Sequence, residues 1–357
     1  MAFENIIGQE RVKRFFARTL ASSRASHAYL FVGQGGVGKG AMALEVAKGL
    51  LTSGDKPEEV KGTDRIANLK HPDVHIIFPA PAKISDDDYV KIIHSIVENP
   101  YCRAQPWANP SISIDRIRDL RRKAAYKSFE GHGRVCIIWD CDRLTVEASN
   151  ALLKILEEPP DNMYLLMTSS RPNVLLPTIT SRCHLVKFDP LPAVELEKAL
   201  IATETVDAQR ARLCARLAGG SYRRCLELAR EGVDEMQTRA LEFFRKSIQN
   251  RFVQVCFVDE ILDHFQRDLK SIKELLAYLL IWFRDALVYR ESGGESEFLI
   301  LQDHIEVVQK FNRSFPNADL NAATNEIERS LELMDRNVQI NLILIVLLNR
   351  LRAFVRR

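Results

Sequence analysis

The sequence predicts an α/β domain with a parallel sheet, followed by a small helical domain and a larger all-helical domain. Three observations predict it. A glycine-rich loop, GQGGVGKG (Gly33 to Gly40), joins a short apolar run to a helical pattern. Strand and helix patterns alternate up to about residue 188, as in a doubly wound parallel sheet. After DPLP (Asp189 to Pro192) only helical patterns follow.

The first domain contains apolar runs that are typical of buried strands. HAYLFV (27–32) precedes the glycine loop, and good helix formers follow the loop. RVCIIWD (134–140) and MYLLMTSS (163–170) are further continuous apolar runs. Between them, Thr145 is placed to cap a helix that ends at Pro159-Pro160. These elements predict the order strand, loop, helix that a phosphate-binding loop needs.

We predict three domains, because 357 residues exceed what one hydrophobic core usually organises. The first spans residues 1–188, with an Asp-, Lys- and Pro-rich insertion at about 52–110. The second, a small helical domain, spans 189–240 and contains the helix stop AGGSY. The third is a helical bundle that spans 241–357.

Composition excludes several classes of protein. The seven cysteines form no CxxC pair, which argues against a zinc module and a disulfide framework. The amino terminus lacks the apolar core of a secretory signal, and the most apolar runs are about half the ~20 residues that a membrane span needs. We therefore expect a cytoplasmic protein without a membrane partner. The formal charge of +3 is too small to predict nucleic-acid binding by itself.

The glycine loop has the letters of a phosphate cradle except for its last one. Backbone N–H groups of such a loop point at phosphates, its lysine meets the terminal phosphates, and a Ser or Thr hydroxyl binds Mg²⁺. Gly40 stands where that hydroxyl is expected and supplies no metal ligand. The loop residues that we assign to nucleotide binding are Gly33, Gly35, Gly36, Gly38, Lys39 and Gly40.

The second strand of such a site normally ends in acidic groups that hold Mg²⁺ and polarise the attacking water. One alignment places Trp139 at the position of the first acid and Asp140 at the second. A shift of one residue makes Asp140 the metal acid and Cys141 the base. In either register one acidic group is missing. We predict very weak or absent hydrolysis, while the letters leave ATP binding open.

Arg182 lies in TSRC (180–183), a loop before the last predicted strand. An arginine given to a neighbour's γ-phosphate accelerates hydrolysis by ~10³ to 10⁵. A surface arginine that pairs locally with a carboxylate is the alternative, and position alone favours that alternative.

Several stretches, in order and spacing, resemble the delta-prime-type subunits of the bacterial DNA polymerase III clamp loader, in the AAA+ superfamily. The resemblance covers most of residues 3–230, and SNALLKILEEPP followed by SRC is its most specific part. The stretches are FENIIGQERV, HAYLFVGQGGVGKG, SIDRIRDLRRKA, EASNALLKILEEPP, LLMTSSRPNVLLPTITSRC and AGGSYRRCLELA.

The resemblance implies a P-loop AAA+ domain, a lid domain and a collar domain. It implies a pentameric ring with motor gamma/tau-type and delta-type subunits, which opens a sliding clamp and closes it around primed DNA. Trp139-Asp140 would be the Walker B remnant, Ser169 sensor 1, Arg182 the finger that acts in trans and Arg223 sensor 2. An adenine would lie near residues 7–9.

The resemblance implies a degenerate ATPase, because eroded ATP sites are frequent in this subunit type. A catalytically active motor subunit or a related AAA+ ring ATPase is the alternative. Relatives often carry a four-cysteine zinc module between the P-loop and Walker B, but only Cys102 lies there, so no metal is expected.

A basic segment near residue 120 has two interpretations. It could track phosphates, because each neutralised phosphate adds salt-dependent affinity. A solvated charged face is the interpretation that we favour. Its residues are Arg116, Arg118, Arg121, Arg122, Lys123 and Lys127.

Overall fold

Five parallel strands form one sheet in the spatial order β2-β3-β4-β1-β5. The strands are β1 (Ala28–Val32), β2 (Val74–Ile77), β3 (Arg134–Ile138), β4 (Met163–Ser169) and β5 (His184–Lys187). Every residue of β1 and β3 is buried, as expected for inner strands of a parallel sheet. The sheet confirms the predicted α/β fold with a parallel sheet.

This computed structural model describes residues 3, 5–22, 24–52, 71–81, 83–101, 107, 110–124, 133–203, 206–232, 234–294, 299–301, 305–336 and 338–356. Helices accompany the strands and then continue alone. Those up to residue 203 are α1 (Glu10–Ala21), α2 (Lys39–Thr52), α3 (Asp86–Glu98), α4 (Ile114–Ala124), α5 (Val146–Glu157), α6 (Pro177–Thr180) and α7 (Ala193–Thr203). Short 3₁₀ turns are formed by Cys141–Arg143 and Pro172–Val174. The later helices are α8 (Ala208–Leu217), α9 (Tyr222–Glu231), α10 (Asp234–Ser247), α11 (Arg251–His264), α12 (Leu269–Glu291), α13 (Ile305–Ser314), α14 (Leu320–Asp335) and α15 (Ile340–Val355).

The carboxyl edge of the sheet collects the chain positions that carry the motifs. The glycine loop follows β1 directly, and Asp140 follows β3. Ser169 ends β4 and pairs in register with Val32, the last residue of β1. Ligands of open parallel sheets bind at this edge. The fold therefore brings the predicted loop, acid and serine to one place.

Local sequence patterns predicted several helices correctly. The side chain of Thr145 accepts a hydrogen bond from the Ala148 amide at 3.2 Å, which confirms the predicted N-cap of α5. The apolar runs 275–283 and 340–348 lie within α12 and α15, and both helices bury apolar residues in the helical bundle. Among the described residues, no helix is long and apolar enough to cross a membrane.

The chain divides into two compact units. The first comprises Met1–Ala199 together with Ala218–Leu226, and the second comprises Leu200–Leu217 together with Glu227–Arg357. The boundaries predicted at residues 188 and 240 stay predictions.

The second unit is built around an aromatic cluster. Phe244 packs against Trp282, Phe283 and Phe311, with ring centroids 5.2 to 5.6 Å apart. Arg290 ties the end of α12 to neighbouring backbone by donating to the Phe315 and Ala318 carbonyls. Since edge-on aromatic pairs add to burial, this cluster stabilises the bundle.

Candidate functional site

Lys39 opens α2 but turns its ammonium back onto its own loop. Its Nζ donates to the carbonyl oxygens of Gly33 and Gln34, each at 2.6 Å, and to Oγ of Ser170 at 3.2 Å. An ammonium has three N–H donors, so these contacts use all of them. Burial lowers the pKa of Lys39 to about 8, and the carboxylate of Asp140 acts in the opposite direction. In this arrangement Lys39 offers no donor to a phosphate.

Trp139 packs against Gly40, at the position where a hydroxyl residue is expected. A Cβ at position 40 would lie 3.0 Å from Cε2 of Trp139 and closer still to its indole nitrogen. Real Cβ atoms essentially never approach a heavy atom so closely, so a Ser or Thr cannot fit there without moving the indole. Trp139 is only 4% exposed. The indole thus takes the space of the hydroxyl that Mg²⁺ requires.

Trp139 and Cys141, which the two registers assign differently, have different surroundings. Trp139 lies against Gly40. Asp140 follows with a left-handed backbone (φ 44°), a conformation that Asp tolerates better than most residues. Cys141, the base in the other register, is fully buried, and burial raises the pKa of its thiol well above the usual value. Burial therefore disfavours the thiolate that the second register would require.

Ser169 is engaged by a carboxylate that sequence reasoning missed. Its hydroxyl donates to Asp142 at 2.9 Å, and the same carboxylate accepts from the Ser170 amide and from Nε of Arg171. Asp142 is itself buried. The signal was a second acid just after the buried strand, two residues beyond Asp140. Because charged acceptors in buried networks hold their donors tightly, Ser169 is fixed inside the protein.

The Ser221–Arg223 segment lies directly on the glycine loop. The Tyr222 amide donates to the Gly36 carbonyl at 3.0 Å. Gly36 has φ +82°, and a Cβ there would lie 2.8 Å from Cβ of Arg223. Only glycine combines this backbone with so close a neighbour. Arg223 donates from Nε to the Tyr101 carbonyl at 3.2 Å. The predicted sensor 2 residue therefore contacts protein at the loop.

The remaining loop residues are held in different ways. Gly33 donates its amide to the Ser169 carbonyl at 3.3 Å. A Cβ at Gly35 would meet only Ser170 Oγ, at 3.9 Å, so that position is open. Gly38 has φ +97°, and a Cβ there would lie 3.1 Å from the Tyr101 hydroxyl. The structure places the predicted loop residues, Asp140, Ser169 and Arg223 at or beside the glycine loop.

The pocket as folded does not fit a magnesium nucleotide. The lysine ammonium is bonded to the loop, the Trp139 indole leaves no room for a hydroxyl side chain at position 40, and the Ser221–Arg223 segment contacts the loop. Gln9 of the predicted adenine side donates to the carbonyls of Val37 and Asp189. Among the residues that the structure describes, no group of three or more His, Cys, Asp or Glu side chains could hold a metal. Cys102 lies outside those residues.

Arg182 lies on the helical turn after α6, where its side chain contacts Glu157 and Thr178. Its guanidinium pairs with Glu157 at 2.9 Å and donates to the Thr178 carbonyl at 3.0 Å. The side chains of Arg182 and Glu157 are 37% and 49% exposed. Exposed pairs of this kind contribute about 0–1 kcal/mol, so a stronger anion can displace Glu157.

The basic segment forms α4 and is partly neutralised by its own acids. Arg118 pairs with Asp115 at 3.4 Å, and Arg122 pairs with Asp119 at 3.0 Å. Lys127 lies outside the described residues. These pairs agree with the solvated charged face that the sequence favours.

Comparison with known proteins gives the family. The family described as DNA polymerase III, delta subunit, matches residues 8–192, and that described as DNA polymerase III, delta subunit, C terminal, matches 250–353. A DNA polymerase III subunit delta' of Bacillus subtilis is 28% identical over 92% of this chain and 90% of its own. A DNA polymerase III subunit delta' of Pseudomonas aeruginosa is 31% identical over 63% of this chain and 62% of its own.

More distant similarity extends to the tau subunit and to solved structures. The DNA polymerase III subunit tau of Escherichia coli is 30% identical over 65% of this chain, which spans 33% of that relative. A Thermotoga maritima structure, a DNA polymerase III gamma subunit-related protein, shares 17% identity over 96% of this chain and 99% of its own, with a TM-score of 0.37. Since the family match covers more than half of the chain, this protein belongs to the DNA polymerase III delta-subunit family and is a clamp-loader component.

Proposed function

We propose that this chain acts as a delta-prime-type clamp-loader subunit that supplies Arg182 to ATP bound by a neighbouring subunit and hydrolyses little or no ATP itself. It takes its place in a pentameric ring with gamma/tau-type and delta-type subunits. The ring helps to load a sliding clamp onto primed DNA during replication.

The contact between Trp139 and Gly40 carries the proposal. Metal and phosphate contacts supply most of the barrier reduction in phosphoryl transfer. Here the position of the metal ligand has neither a hydroxyl nor room for one. The pocket thus lacks what hydrolysis needs, whereas Arg182 is exposed and held by a weak surface ion pair and one carbonyl contact.

The guanidinium of Arg182 suits the stabilisation of a phosphate in a neighbouring subunit. In the neighbour, water attacks the γ-phosphorus while ADP leaves, and negative charge spreads over the transferred group. A guanidinium neutralises that charge and can bond two oxygens at once. Arg182 can leave its exposed ion pair with Glu157 for the phosphate at a cost of about 0–1 kcal/mol.

The test uses the reconstituted clamp loader with Arg182→Ala in this subunit. We expect DNA-stimulated ATPase and clamp loading to fall at least tenfold at the site that receives Arg182, while the complex assembles as before. Glu157→Gln is the matched control, because it breaks the same ion pair and keeps the guanidinium. Unchanged rates with Arg182→Ala would refute the finger role.

The alternative function is an ATP-hydrolysing motor subunit. The similarity to tau favours it, and it requires Mg²⁺-dependent turnover by the isolated chain that Lys39→Ala abolishes. We expect no such turnover. Phosphate release at several turnovers per second by the pure chain would replace our proposal with the motor function.

A further inference from the structure

Tyr101 stands at the glycine loop in a segment with no sequence motif. Its ring is buried, with 7% of the residue exposed. Its hydroxyl accepts a hydrogen bond from the Ile7 amide at 3.0 Å. The same oxygen would lie 3.1 Å from a Cβ at Gly38. One side chain therefore spans from the glycine loop to the amino-terminal segment.

Tyr101 also binds the segment that covers the loop. Its ring packs edge-on against Tyr222, with centroids 5.1 Å apart. Its carbonyl accepts from Nε of Arg223 at 3.2 Å. Tyr222 in turn donates its amide to Gly36. These contacts join three segments that are far apart in the sequence.

A nucleotide on this loop would have to meet the same three segments. Phosphates lie on the amides of such a loop, and the family resemblance implies a base near residues 7–9. Arg223 would approach the terminal phosphate from the covering segment. Tyr101 already occupies the path between Gly38 and Ile7, and it already bonds to Arg223.

We propose that Tyr101 replaces a nucleotide as the group that fixes the Ser221–Arg223 segment on the glycine loop, and that it excludes the nucleoside from this pocket. The segment then holds one position whether or not ATP is present. Beyond the proposed function, which concerns hydrolysis and Arg182, Tyr101 then determines whether a nucleotide binds and where the Ser221–Arg223 segment lies.

The chemistry of the side chain suits a permanent filler. Burial raises the pKa of Tyr101 to about 12, so the phenol stays neutral at physiological pH. A neutral phenol needs no counter-charge inside the protein. Its ring also supplies apolar area that a hydrated pocket would lack.

The first measurement uses the unmodified chain and fluorescently labelled ADP without Mg²⁺, because the metal position is filled. We expect no saturable binding up to about 1 mM labelled ADP, a concentration that would reveal a site with a Kd in the millimolar range. Hydrogen exchange of the peptide covering residues 218–226 should be unchanged by ADP. Saturable binding, or protection of that peptide by ADP, would overturn the inference.

The second measurement compares Tyr101→Phe and Tyr101→Ala. Loss of the hydroxyl removes one bond of the bridge, so exchange at the Tyr222 amide should rise about fivefold in Tyr101→Phe, the size of one net hydrogen bond. Tyr101→Ala should raise it further and admit the labelled ADP without restoring hydrolysis. If Tyr101→Ala does not fold, Tyr101→Phe and the titration of the unmodified chain decide.

Tyr29→Phe is the matched control. The Tyr29 hydroxyl also accepts from a backbone amide, that of Ser26 at 2.8 Å, and Tyr29 is also buried. Its loss should leave exchange at Tyr222 unchanged. Equal exchange in the unmodified chain and Tyr101→Phe, or the same increase in Tyr29→Phe, contradicts the proposal. Binding of ADP without turnover overturns this inference and leaves the role of Arg182 intact.

Discussion

The glycine loop and the turn that carries Arg182 lie in the same α/β unit, yet the charged side chains of Lys39 and Arg182 are held in opposite ways. Lys39 is 6% exposed and gives all its donors to the protein. Arg182 is much more exposed and has one weak ion pair and one carbonyl contact. The lysine is committed inside the fold, whereas the arginine can be recruited from outside.

The difference shows what happens to a ligand site when the protein itself satisfies its polar groups. Buried donors and acceptors must find partners, and a bound nucleotide is one source of them. Here Asp142 binds Ser169, loop carbonyls bind Lys39, and Tyr101 binds Arg223. Each satisfied group is one fewer available to a ligand.

The largest effect that we expect comes from the contact between Trp139 and Gly40. Trp139→Ala removes a buried indole and should lower the free energy of unfolding by about 3–5 kcal/mol. Gly40→Thr alone should destabilise by about 1–3 kcal/mol through overpacking, although threonine forms helix better than glycine. In the double variant the methyl and hydroxyl enter the space that the indole leaves.

The double variant should therefore lose less stability than the sum of the two single variants, by about 0.5–3 kcal/mol. Urea unfolding followed by circular dichroism measures all four proteins of the cycle. Gly49→Ala is a control on the same helix, because a Cβ there would meet Leu20 and not Trp139. Additive losses in the main cycle would contradict the filled metal position.

A second prediction concerns the pH dependence of stability caused by Lys39. Its pKa is lowered from 10.5 to about 8 by burial, so between those values the unfolded state binds more protons than the folded state. Stability that depends on Lys39 should then rise with pH across this window. The free energy of unfolding of the unmodified chain minus that of Lys39→Met should become more positive by about 2 kcal/mol from pH 8 to pH 10.

Measurements at pH 6 to 7 provide the baseline, because Lys39 is protonated in both states there and the difference should be constant. The range stops at pH 10 since the raised pKa of Tyr101 acts in the opposite direction above it. A difference that stays flat from pH 8 to pH 10 would mean that the ammonium is solvated, and that the pocket is open.

The sequence predicted well where the cause is local. The glycine loop between strand and helix, the cap at Thr145 and the apolar strands depend on neighbouring residues, and the structure confirms them. The absence of a hydroxyl at Gly40 could also be read from one letter. Such features need no knowledge of which distant segments meet.

Contacts between distant segments could not be predicted in this way. The letters showed Gly40 and Trp139 as two separate losses, while packing of α2 beside β3 makes them one contact. Tyr101 escaped notice because no pattern surrounds it, and its role comes only from meeting Ile7 and Arg223. Asp142 was missed because the two registers considered stopped at Cys141.

The smallest effect should come from Arg182, and it separates function from stability. Arg182→Ala removes an exposed ion pair with Glu157, so the free energy of unfolding should change by less than about 1 kcal/mol. The same urea titrations measure it, with Arg171→Ala as a matched control that removes one charged donor from the buried Asp142 and should cost about 1–3 kcal/mol. A large loss in Arg182→Ala would make this arginine a structural group. A small loss of stability together with impaired ATPase in the complex would mean that Arg182 contributes little to the fold. Its main partner would then be the phosphate of the neighbouring subunit.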